Sequence, residues 1–128
     1  MVPAHPAQNS PADGHRQICE LMTLPEPPTA VFACCEEVAI GAIAALNELG
    51  LSVPSDIAVV SIDDIPLAAY VSPGLTTVRV PKAEMGAYSV QMLRDRRERP
   101  ETPAIAAVLP TELIVRESCG AALVVPSD

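Results

Sequence analysis

Aromatic residues are nearly missing from this chain of 128 residues, which has two tyrosines, one phenylalanine and no tryptophan. A core built from it must be aliphatic, and a base-stacking platform for single-stranded nucleic acid has no support. Positive charge is scarce as well. Eight Lys and Arg against sixteen Asp and Glu leave a net charge of −8, so these residues alone do not hold a phosphate backbone by counterion release. No apolar run approaches the roughly 18 residues of a membrane span. Residues Met1 to Pro6 carry neither a basic nor an apolar signal region, which points to the cytoplasm. No glycine-rich phosphate loop is present. The four cysteines, Cys19, Cys34, Cys35 and Cys119, fit no zinc spacing, and His5 and His15 join no cluster. Neither a metal nor a cofactor is expected. The cysteines read as small buried hydrophobes with reduced thiols.

What is present is a globular balance, 49% hydrophobic and 19% charged, of a length that suits one ordinary domain. Residues 1–12, with Pro3, Pro6 and Pro11, read as a flexible lead-in. The spacing of Ile18, Leu21 and Met22 predicts a helix over 13–23, stopped by the proline-rich turn at Pro25 to Pro28. Residues 30–35 read as a buried strand. Residues 37–49 read as a helix opened by Glu36 and Glu37 and closed by Gly50. The β-branched run 57–62 reads as a second buried strand, completing a βαβ unit with parallel strands. A helical turn at 66–70, a strand at 76–80 and a long helix at 82–99 follow. Met85, Tyr88, Ser89, Met92 and Leu93 form the buried stripe expected of that helix. Strand segments are expected at 104–109 and 111–116, and a tail from 121 to 128. The basic cluster Arg94 to Arg99 reads as a solvated helix end, because Arg94 and Glu98, and Asp95 and Arg99, stand at i,i+4.

Parallel sheets bind ligands at the carboxyl ends of their strands. Cys35-Glu36 and Asp63-Asp64 fall there. Asp63 is the best ligand candidate. Glu36 is equally well read as a cap of the helix behind it, and Asp64 as a cap of the next turn. A glycosidase would need two carboxylates at a set separation. No second feature supports one, and no enzyme is expected.

These landmarks resemble, in order, the C-terminal part of the effector-binding region of the LacI/GalR family of bacterial transcription regulators. Pro28-Thr29-Ala30-Val31-Phe32-Ala33 looks like the family's PTAxFA strand. Leu49 to Val60 resembles LGLxVPxDIxVV. Asp63-Asp64-Ile65-Pro66, Leu75-Thr76-Thr77-Val78 and Pro110 to Ser118 look like its DDIP, LTTV and closing strand. The resemblance covers about residues 13–120. It implies an α/β fold, a partial periplasmic-binding-protein-like (type I) fold in which a parallel sheet is flanked by helices, here its C-terminal lobe. It implies a small-molecule effector, a sugar or similar, and a homodimer with contacts along helix 37–49 (Ile40, Ile43) and around Tyr70. DNA would be bound only through a helix-turn-helix not found in these residues.

By the same resemblance Asp63 matches the family's ligand-contacting aspartate. Cys35 stands where the family has asparagine, Glu36 where it has aspartate, and Val80 where it often has glutamine at the hinge. A thiol and an isopropyl group thus replace two hydrogen-bonding side chains, a loss of about 1–3 kcal/mol for each contact to a buried hydroxyl. Two alternatives are a sugar-binding protein of a transporter and an interaction-only or non-functional piece.

Overall fold

The computed structural model describes residues 9–101 and 103–121. The chain divides into two units. One comprises the residues up to Arg79 together with those from Leu113 onward, and the other runs from Val80 to Glu112.

The first unit opens with α1 (Pro11–Met22). It starts two residues before the predicted helix, inside the expected lead-in, for a local reason. Ser10 accepts from the Asp13 amide, the Asp13 carboxylate accepts from the Ser10 amide, and Pro11 takes the first helical position, where its missing N–H costs nothing. β1 (Ala30–Phe32) is followed by α2 (Glu36–Glu48). Gly50, at φ 74°, ends α2: the Leu51 amide reaches the Leu46 carbonyl and the Gly50 amide the Asn47 carbonyl, the paired bonds of a Schellman motif. β2 (Ala58–Asp63), a 3₁₀ turn at Pro66–Ala69, β3 (Thr76–Arg79), β4 (Glu112–Ile114) and a second 3₁₀ turn at Glu117–Cys119 complete the order.

The sheet runs β1-β2-β3-β4, with β1 and β3 both parallel to β2. The predicted βαβ unit is therefore present. β2 is the central strand of the three, and Val59 and Ser61 on it are fully buried. β1 is shorter than predicted and lies at the sheet edge, so Phe32 is 63% exposed rather than buried. The core joins α1 (Ile18), α2 (Val38, Ala39, Ala42, Ile43, Ala45, Leu46) and the strand region (Ile57, Val59, Leu75). α1 packs closely on α2 because two glycines allow it. A Cβ on Gly14 would collide with the Val38 carbonyl, and one on Gly41 with the Pro11 carbonyl.

The cysteines depart from their expected burial. All four are free thiols, Cys34 is exposed, and Cys19, Cys35 and Cys119 are half-buried. The strand ends at Phe32, so Cys34 and Cys35 occupy a bend, not a ladder.

In the second unit, α3 spans Lys82–Glu98 as predicted, but none of its residues is buried. Met85, Tyr88, Ser89 and Met92 instead line an open groove of about 600 Å³ together with Ile105 to Leu109. The strand predicted at 104–109 is absent, and only Glu112–Ile114 of the predicted 111–116 segment is extended in the sheet. Pro103 and Pro110 bracket the run 104–109, and neither has an N–H to donate to a ladder. At the basic end of α3, the Asp95 carboxylate accepts from the Gln91 amide at 2.9 Å. The tail beyond Ala121 lies outside the described residues.

Candidate functional site

The carboxyl end of β2 is where the backbone is most unusual. Asp63, its last residue, has φ 112°, and Asp64 has φ 53°. Two successive non-glycine residues in the left-handed region cost free energy and persist only where surrounding contacts impose them. Those contacts centre on Asp64. Its amide donates to Glu36 Oε1 at 2.6 Å. Its carboxylate receives Arg79 Nε at 2.7 Å on one oxygen and Arg116 Nη2 at 2.8 Å on the other. Burial pushes this carboxyl upward in pKa, but the two guanidiniums outweigh burial and hold it below the ordinary aspartate range.

Glu36 is the first residue of α2 and is fully buried. Its Oε1 also accepts the Thr77 hydroxyl at 2.7 Å. Glu36 thus ties α2 to the residue after β2 and to Thr77 within β3. It makes no cap bond to its own helix, and its side chain is wholly buried. Glu36 Oε2 and Ser61 Oγ are buried without a hydrogen-bond partner among the described residues. Ser61 pairs in register with Thr77, so both unpartnered atoms flank the same threonine.

Cys35 is the N-cap of α2, in extended conformation, with no side-chain cap bond. Burial raises its thiol pKa, helped by the neighbouring Cys34. Its Sγ lies 3.9 Å from the Asn9 carbonyl oxygen. The Asp64–Glu36 bond brings the β1–α2 junction and the end of β2 together, as the βαβ reading requires. Val80 is the first residue of the second unit and half-buried, its carbonyl accepting from the Lys82 amide. Asp64 does not cap the next turn: Ile65 holds that position, without a side-chain cap.

Of the expected dimer residues, Tyr70 is 84% exposed and Ile40 half-buried. Ile43 is 4% exposed and packed in this unit's own core. The helical period placed Ile43 on an apolar face, and that face belongs to this unit's own core.

Sequence reasoning missed Thr77, Arg79, Arg116 and Ser118. Arg116 donates to the Leu75 carbonyl as well as to Asp64, and its amide bonds the Thr76 hydroxyl. Ser118 Oγ links the Val59 carbonyl to the Thr76 amide. The available signal was a single arginine directly after the apolar run from Leu113 to Val115, where a charge needs a partner.

Among the described residues no group of three or more His, Cys, Asp or Glu could hold a metal ion, and no helix is long and apolar enough to cross a membrane. The arrangement offers hydrogen-bonding carboxylates at a sheet edge.

Residues 2–119 match the family model of the periplasmic binding protein-like domain, and the chain belongs to that family. Its relatives are LacI-type regulators. It is 41% identical over 79% of its length to the ribose operon repressor of Haemophilus influenzae, covering 30% of that protein. It is 38% identical over 84% of its length to the HTH-type transcriptional repressor PurR of Pasteurella multocida, covering 32% of it. A LacI regulator structure from Bacillus cereus subsp. cytotoxis superimposes with TM-score 0.82 at 34% identity, covering 86% of this chain and 39% of that one. A LacI family regulator from Enterococcus faecium with bound ribose gives TM-score 0.75 at 34% identity, covering 89% and 42%. The chain spans about a third of the length of these curated relatives.

Proposed function

We propose that these residues are the effector-binding and dimerisation segment of a LacI-type transcriptional repressor, and that the effector is a small hydroxylated molecule of sugar type. The observation that carries this reading is Asp63. It ends the central strand of a parallel arrangement, where such sheets take their ligands, and its strained backbone is imposed by the contacts around Asp64. A carboxylate there accepts hydrogen bonds from ligand hydroxyls, each charge-assisted. Ribose-bound relatives of the same fold support the ligand class.

The chain does no chemistry in this reading: the carboxylates bind and orient, and the named relatives are repressors. The regulator works in the cytoplasm as a homodimer meeting through the α2 face at Ile40 and the surface at Tyr70. The charge of −8 supports a reading in which operator contact falls to a helix-turn-helix of the regulator and not to these residues.

Calorimetry of the purified chain with D-ribose, other pentoses, hexoses and nucleobases tests the reading. Binding of a hydroxylated ligand that Asp63→Ala weakens by roughly 1–3 kcal/mol is the expected result. Affinity unchanged by Asp63→Ala, or binding confined to ligands without hydroxyls, overturns it.

A further inference from the structure

We propose that Asp64 is the positioning residue of the effector site, holding the left-handed turn that presents Asp63 by means of Arg79, Arg116 and Glu36; this rests on the reading of Asp63 as the ligand contact.

Asp63 and Asp64 both carry positive φ, a conformation uncommon outside glycine, though aspartate tolerates it better than most residues. Three separate parts of the first unit grip Asp64. The start of α2 takes its amide through Glu36. The end of β3 takes one carboxylate oxygen through Arg79. The segment after β4 takes the other through Arg116. The Asp64 side chain is only 8% exposed; its pair with Arg116, 19% exposed, is largely shielded from water and bears more weight than the pair with the half-exposed Arg79.

The position of the two arginines in the chain adds a second point. Arg79 is the last residue before the chain leaves this unit, and Arg116 comes three residues after Leu113, where it returns. A single carboxylate therefore joins both crossing segments to the residue next to the ligand contact. Arg116 does so with a fork. Nη2 donates to Asp64 and Nη1 to the Leu75 carbonyl at 2.7 Å. A lysine keeps the charge but has no planar fork to span both acceptors.

The test uses the 128-residue chain with Asp64→Asn and Arg116→Lys. Amide hydrogen exchange is followed by NMR, and D-ribose binding by calorimetry. The expected result is exchange at the Asp64 amide faster by about tenfold or more, with protection of Val59 to Ser61 as in the wild type, and D-ribose bound about tenfold more weakly. Unchanged exchange at Asp64 in both variants overturns the proposal. So does loss of protection shared equally by Asp64 and all of β2, which marks a residue that only stabilises the fold. If the wild type binds no D-ribose, the sugar reading fails, and the exchange measurement still decides whether Asp64 and Arg116 fix the turn. Full D-ribose affinity in both variants sinks the positioning role while leaving the ligand class intact.

Discussion

The Thr77 hydroxyl donates to the Glu36 carboxylate at 2.7 Å inside a pair that is wholly shielded from water. That bond binds the first turn of α2 to β3 across the end of β2. A carboxylate so placed is costly unless donors surround it. It has two, the Thr77 hydroxyl and the Asp64 amide, both on one oxygen.

Thr77→Val removes one donor from this buried group while nearly preserving shape. The expected loss is about 1.5–3 kcal/mol of folding stability. Glu36→Gln retains the accepting oxygen for both donors and removes a buried charge, so it is expected to cost less, about 1 kcal/mol or under. Urea denaturation of the two variants checks the order. A Thr77→Val variant as stable as wild type would remove the pair from any role in stability.

The α1–α2 contact gives a second prediction. Gly14 and Gly41 each face a backbone carbonyl with no room for a methyl group. Backbone cannot yield as a flexible side chain does. Gly14→Ala and Gly41→Ala are each expected to lower stability by about 1–3 kcal/mol or more, although alanine is the better helix former. Thermal melts that rise for either variant would show that the helices can separate freely.

Acid sensitivity follows from Asp64. Burial alone would raise its pKa, but Arg116 and Arg79 hold it below the ordinary value. An unfolded aspartate near 3.9 takes up its proton first as pH falls. The stabilisation is therefore present in full above that value and is lost as pH drops toward the lower folded pKa. Asp64→Asn should be less stable than wild type near neutral pH, and the gap should narrow as pH falls below the ordinary aspartate range. A gap independent of pH, seen in urea midpoints, would contradict this.

Self-association is expected through the surface that includes Tyr70, which stands 84% exposed close to the exposed Leu67. Large aromatics of this kind anchor interfaces. Tyr70→Ser should shift the chain from dimer toward monomer in sedimentation velocity, by a roughly tenfold or greater change in dissociation constant. A wild-type monomer across a wide concentration range would remove the homodimer from the proposed function. Ile43→Ser does not belong to this test, because Ile43 lies in the core and the variant would unfold.

The order of elements was legible in the residues because local chemistry set it: hydrophobic period, the glycine after α2, the proline-rich turn before β1, the β-branched run of β2. So was the placing of Cys35-Glu36 and Asp63-Asp64 at one sheet edge, since a βαβ unit allows little else. Burial was less legible. Phe32 and the stripe of α3 are apolar by pattern and exposed in fact, because period identifies a face without saying what covers it.

Sequence by itself determined the fold family, the βαβ frame, the acidic character and the place of Asp63 at the end of a central strand. Only the tertiary structure decided that Glu36 lies buried behind Asp63, that Asp64 serves as an anchor where a cap was expected, and that Arg79 and Arg116 meet on its carboxylate. The reason is one of range. Caps, turns and periods act over a few residues, while the Asp64–Arg116 pair spans 52 positions and exists only once the sheet has brought the strand ends together.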